Sequence, residues 1–79
     1  MEKNNLLQRI VVDSNVMVGK PIVQGTRLTV ELILGLLGQG VSVEKLLEEY
    51  PRLTKEDVFA CLLFAQRAIG DITYMPIFK

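Results

Sequence analysis

Two periodicities divide the chain. Arg9-Ile10-Val11-Val12-Asp13 is a short β-branched run, and Pro21 to Gln24 is a second short stretch held between Gly19-Lys20 and Gly25-Thr26. Both predict strands. Asp13-Ser14-Asn15 supplies side chains that bond their own backbone in a turn, so the two strands are expected to form a small hairpin or crossed pair. A two-stranded ribbon is barely stable alone in water, so it must pack on the rest of the molecule or on a second ribbon.

From Val30 onward the spacing turns helical. Val30 to Gln39 is apolar nearly all round, with Thr29 as N-cap, Glu31 at the positive end of the helix dipole and Gly40 as a left-handed stop. Such a helix is expected to be buried on more than one side. Gly35 and Gly38 each lower helix propensity by roughly 1 kcal/mol, which predicts a close approach by another backbone. The second helix, Val43 to Tyr50, is capped by Ser42 and places Val43, Leu46, Leu47 and Tyr50 on one stripe. Its Glu44, Glu48 and Glu49 face solvent, and Pro51 ends it.

The third helix follows Leu53-Thr54. Thr54 caps it, Asp57 completes a capping box, and Leu53 staples onto Val58. Its expected inner stripe is Val58, Cys61, Leu62, Ala65 and Ile69. Phe59, Leu63 and Phe64 lie outside that stripe, where they either complete the core or face a partner or a second copy. Gly70-Asp71 ends the helix, and Ile72 to Lys79 is an apolar tail without helical period. Tyr74, Met75, Ile77 and Phe78 in that tail are candidate partner or dimer contacts, because apolar extended segments dock in grooves or on sheet edges; the alternatives are that the tail packs on its own domain or is disordered. The organisation expected is a flexible start over 1–8, one domain over 9–70 and a tail over 71–79.

The junction between ribbon and helices, Gly19 to Arg27, concentrates the backbone specialists. Gly19 and Gly25 permit positive φ, Pro21 fixes its own φ, and the Thr26 hydroxyl can bond nearby amides. These four are read as structural turn residues. Arg9, Lys20 and Arg27 are the cations around them. They either tie down the turn or contact DNA or a protein partner, and the pattern alone leaves both uses open.

Composition narrows the function. At 79 residues only about 60% of the unfolded surface is buried on folding, yet 49% of the chain is hydrophobic. Some of that surface is expected to be covered by another chain, most simply in a homodimer. There is no histidine and a single cysteine, Cys61, so no zinc constellation and no nucleophile–base pair can be assembled. The reading is of a protein that is not an enzyme, with no catalytic residue, no cofactor and no metal. Nine cations balance nine acids. Residues 1–30 carry four cations against two acids, a thin footprint for nucleic acid. No apolar run is long enough to span a membrane, and Met1 to Asn5 lacks a signal-peptide plan, so a cytoplasmic location is expected.

The short connection Pro51 to Leu53 suits a helix-turn-helix, but Glu56 and Asp57 at the start of the following helix oppose phosphate. The run Val12-Asp13, Gly19-Lys20-Pro21-Ile22-Val23, Gly25-Thr26-Arg27-Leu28, Val30, Gly40, Ser42-Val43-Glu44, Tyr50-Pro51, Leu53-Thr54 and Glu56-Asp57-Val58 resembles the prokaryotic family known as domain of unknown function 433. The resemblance spans about residues 9–69. It implies a mainly α, homeodomain-like three-helix bundle of helix-turn-helix type with a short N-terminal β-ribbon, grouped with VapB-like antitoxins encoded beside a PIN-like ribonuclease toxin. Ser14 and Thr29 stand where proline is common in the family, Val18 where glycine is frequent and Phe64 where tyrosine is common. The resulting expectation is an antitoxin that binds and neutralises a PIN-like toxin and regulates its own operator DNA. The alternative is a helix-turn-helix DNA-binding regulator with no toxin partner.

Overall fold

The computed structural model describes residues 3–70. The chain runs α1 (Lys3–Leu7), β1 (Ile10–Val12), a 3-10 turn (Met17–Gly19), β2 (Pro21–Val23), α2 (Val30–Gly38), α3 (Val43–Glu49) and α4 (Lys55–Ile69). It is thus a mostly helical domain of four helices and one two-stranded antiparallel sheet.

The ribbon forms as its sequence predicts, one residue shorter at each loose end. Ile10 pairs with Val23, Val11 with Ile22 and Val12 with Pro21. Asp13 accepts the Asn15 amide at 2.9 Å to start the return. The free edge of β2 is partly used as well: the Val23 amide donates to the Leu28 carbonyl at 2.9 Å, and Ile22 bridges Thr29. Proline heads β2, where its missing N–H breaks no ladder interior.

Between the strands, Val18 sits at φ 56°, ψ 37° and is 93% exposed. A β-branched residue in the left-handed region is strained, and Gly19 beside it, at φ 79°, is not. This is the position where the resemblance would place glycine.

All three expected caps are made. Thr29 accepts the Leu32 amide at 3.0 Å, Ser42 the Lys45 amide at 3.1 Å and Thr54 the Asp57 amide at 3.1 Å. Gly40, at φ 97°, ends α2 in a Schellman arrangement: its N–H donates to Leu37 and that of Val41 to Leu36.

The core gathers Val23 from the ribbon, Val30 and Ile33 from α2, Leu46 from α3, Leu53 from the turn, and Val58 and Cys61 from α4. Burying side chains of this size contributes roughly 1.5–3 kcal/mol each. Leu53 and Val58 share that cluster, as the staple requires.

Four expectations need correction. The start is not without structure, since Lys3–Leu7 forms α1 and packs against α4. Five residues cannot hold a helix by propensity, so that packing is what sustains it. On α2 only Val30 and Ile33 are buried and Leu32 is 40% exposed, so one face stays open. No heavy atom lies within 4 Å of a Cβ built at Gly35 or Gly38, which removes the close-backbone explanation among the described residues. Finally, α4 is rotated relative to the expected stripe. Asp57 and Ala60 join Val58 and Cys61 inside, while Leu62 and Ile69 face out. The reason is that α4 is covered from two directions, by α1 and by α2 with the ribbon.

Candidate functional site

The junction that separates ribbon from helices becomes one wall of a cleft of about 540 Å3. Thr26 builds that wall. Its hydroxyl donates to the Val23 carbonyl at 2.8 Å and accepts the Leu28 amide at 3.0 Å, closing a turn in which Gly25 takes φ 83°. The opposite wall is Glu49 to Arg52, the end of α3 and the turn into α4. Arg52 crosses between them and donates from Nη1 to the Gly25 carbonyl at 3.2 Å. Two motifs far apart in sequence, Gly25-Thr26-Arg27 and Tyr50-Pro51, therefore share one cleft.

Its chemistry is cationic with apolar lining. Arg27 and Arg52 bring two guanidinium groups, Leu28, Tyr50 and Pro51 bring apolar surface, and Glu49 pairs outward with Lys45 at 3.6 Å. Arg27 is exposed and takes part in none of the ion pairs among the described residues. A planar fork of this kind suits carboxylate or phosphate.

The other two expected cations have partners inside the molecule. Arg9 donates from Nη1 to Asp57 Oδ1 at 3.1 Å. Asp57 is 6% exposed, and its second oxygen accepts the Thr54 amide at 3.0 Å to complete the capping box. One side chain thus joins β1's approach to the start of α4. Lys20 pairs with Glu31 at 3.1 Å, both exposed, beside a shallow cleft of about 450 Å3 that includes Leu32 and Gly35. Gly19, Pro21, Gly25 and Thr26 occupy the turns and strand end assigned to them.

Along α4, Phe59 is 45%, Leu62 47% and Ile69 61% exposed. Together with Lys55 and Gln66 they fall at i, i+4, i+7, i+11 and i+14, which is one outward row of the helix. Leu63 and Phe64 are half-buried, and Phe64 packs against the core. Behind that packing lies a nearly all-apolar groove of about 430 Å3, lined by Pro21, Val30, Leu34, Phe64, Ala65, Ala68 and Ile69 with Glu31 at its side. Tyr74, Met75, Ile77 and Phe78 lie outside the described residues.

Sequence reasoning missed Arg52 and Leu62 as surface groups, and Asp57 as the partner of Arg9. The adjacency of Arg52 to Tyr50-Pro51 was the one available signal. Cys61 is fully buried, and that burial, with the Asp57 carboxylate adding to it, pushes its thiol up to about 12. Among the described residues no group of three or more acidic, cysteine or histidine side chains is placed to hold a metal ion. Nor is any helix among them long and apolar enough to cross a membrane.

Fold and cleft together define a class: a small, mainly helical domain whose two-stranded ribbon leads through a glycine-rich turn into capped helices. The family described as "Protein of unknown function (DUF433)" matches residues 10–65, and the chain belongs to that family. The crystal structure of a DUF433 member protein from Anabaena variabilis superposes with a TM-score of 0.72 at 29% identity, covering 81% of this chain and 64% of that one. The chain therefore spans less than two thirds of that relative's length. An uncharacterized protein from Archaeoglobus fulgidus is 60% identical over 25 residues, 32% of this chain and 69% of that protein.

Proposed function

We propose that this protein is an antitoxin: a cytoplasmic homodimer that binds and neutralises a PIN-like ribonuclease through protein–protein contact alone, with no residue performing chemistry. The observation that carries this reading is the outward row of α4. Phe59, Leu62 and Ile69 stay 45–61% exposed on the longest helix of a small, apolar-rich domain. Anchors spaced on one helix face are what a hydrophobic groove recognises. The aromatic in this row, Phe59, is of a residue type that dominates interface energetics.

Light scattering coupled to size exclusion, on the full chain alone and then with the product of the adjacent gene, tests this. A stable complex is expected, and the F59S/L62S variant should weaken it at least about 30-fold, since anchors of this kind carry 2 kcal/mol or more. The variant should stay folded, its thermal midpoint lowered by about 10 °C for the half-buried area the two side chains lose. A wild-type protein that ignores the neighbour, or a variant that binds it equally well, would sink the antitoxin reading.

A second reading is favoured by the burial of Asp57. With α2, α3 and α4 taken as a homeodomain-like helix-turn-helix unit, one of the two acids opposing phosphate is neutralised by Arg9. Arg27, Arg52 and Lys55 then stand around the inter-helix turn and the positive end of α4. This is the DNA-binding regulator, acting at its own operator.

A further inference from the structure

Three clefts on the described residues differ in charge. Those beside α2 and α4 carry at most one cation, and Glu31 lies in each. The cleft between the Gly25-Thr26-Arg27 turn and the end of α3 carries two, Arg27 and Arg52, against the single acid Glu49. Glu49 pairs with Lys45 at 3.6 Å, and neither arginine takes part in an ion pair among the described residues. Arg52 donates from Nη1 to the Gly25 carbonyl at 3.2 Å, which brings its guanidinium to the turn that carries Arg27 and leaves it further N–H donors to offer.

The apolar part of the lining is already in place. Leu28 and Tyr50 are half-buried and pack against the core, and Pro51 follows with a fixed φ. Thr26 holds the facing turn with two hydrogen bonds from one hydroxyl. A cleft held in this way needs little ordering when a ligand enters, and its volume, about 540 Å3, lies in the range of small-ligand sites.

We propose that this cleft binds a phosphomonoester carrying an aromatic body, the chemical class to which mononucleotides belong. Two guanidinium groups offer more donors and more charge than one carboxylate satisfies, whereas a phosphomonoester brings a charge of about −1.5 to −2 and a third acceptor oxygen. Tyr50, Leu28 and Pro51 supply the apolar surface on which a base stacks. A phosphodiester inside a nucleic-acid strand carries a single charge, so the free nucleotide is the better match to the two arginines. The inference goes beyond both functional readings, since the outward row of α4 can meet its partner whether or not the cleft is filled.

The test is an amide-shift titration of the full chain by nuclear magnetic resonance. Adenosine monophosphate is the probe, compared with inorganic phosphate, adenosine and a single-stranded oligonucleotide lacking terminal phosphates. The nucleotide should move the amides of Gly25 to Leu28, Tyr50 and Arg52 with a Kd below about 1 mM, and phosphate and adenosine should each bind at least about tenfold more weakly. R27Q changes an exposed side chain that takes part in no ion pair among the described residues, so it should keep its thermal midpoint. It should lose about tenfold in affinity for the nucleotide. Amides unmoved by millimolar nucleotide, shifts centred elsewhere, or an R27Q variant that binds equally well would overturn the assignment. So would inorganic phosphate binding as tightly as the nucleotide, or an oligonucleotide that moves the same amides more tightly per nucleotide, which would give the cleft to a nucleic-acid backbone. Loss of the partner complex in light scattering changes none of these readouts.

Discussion

Val18 and Cys61 show how a single residue can be at odds with its surroundings or sealed by them. Val18 holds a left-handed backbone while its side chain is almost wholly in solvent, so no packing compensates. Left-handed backbone costs an L-residue roughly 1–2 kcal/mol, and glycine's larger unfolded entropy returns roughly 0.5–1 of that. V18G should therefore stabilise the domain by about 0.5–1 kcal/mol and raise its thermal midpoint by about 4 °C. An unchanged midpoint would mean the turn relaxes at no cost. Cys61 should resist a thiol reagent at pH 8 about 5,000-fold better in the native than in the urea-unfolded protein, the ratio set by a stability of about 5 kcal/mol. The pH dependence has a definite sign. A thiol whose native pKa is raised to about 12 leaves the folded state favoured below the unfolded value of 9.0. That contribution fades as pH climbs from about 9 toward 12, because only the unfolded chain gains the thiolate. Urea titrations at pH 7 and 10 should show it, and C61A should flatten the difference.

Elements were readable from sequence wherever their determinants are local. Thr29, Ser42 and Thr54 each find their amide three residues on, and Gly40 needs only its own helix, so caps and helix ends came out correctly. The two strands were within reach for the same reason, as short apolar runs bounded by turn residues, whereas their register, Ile10 on Val23, was not specified across the connection over residues 13–20. What escaped depends on distant contacts. The helix α1 exists because α4 supports it, and α4 turns Asp57 inward because Arg9, 48 residues earlier, supplies the counter-charge. Periodicity sees an acid and assigns it to solvent. Removing either partner tests this element-to-element link. R9M should cost about 1–2 kcal/mol, a charge-assisted bond discounted for an arginine that is 40% exposed. D57A should cost more, since it also breaks the cap. In the double variant the losses should fall short of their sum by about 1 kcal/mol, read from urea midpoints. Strict additivity would mean the pair carries no coupling.

At the scale of the whole molecule, charge and apolar surface point to different partners. The net charge is zero, so any grip on DNA must come from the local set Arg27, Arg52 and Lys55. Three phosphate contacts per copy give a salt slope no steeper than about −2.7 per copy, at roughly −0.9 per contact. Binding to upstream DNA at two salt concentrations should show that slope, and R27A/R52A should remove about two thirds of it. A salt-insensitive complex would leave the arginine cleft to a ligand other than DNA. The cleft was half readable in the sequence: Arg27 stood out within its glycine-rich turn, whereas Arg52 acquires a role only once folding carries it to the Gly25 carbonyl. The Arg9–Asp57 bond bears, finally, on how the protein is made. During synthesis the ribbon emerges from the ribosome before residue 57 does, so for that interval Arg9 has no carboxylate to meet and α2 no finished core to enter. The nascent chain carries an open, leucine-rich helix until α4 emerges, and a partner or chaperone acting in that interval would meet a different surface from the one the finished fold presents.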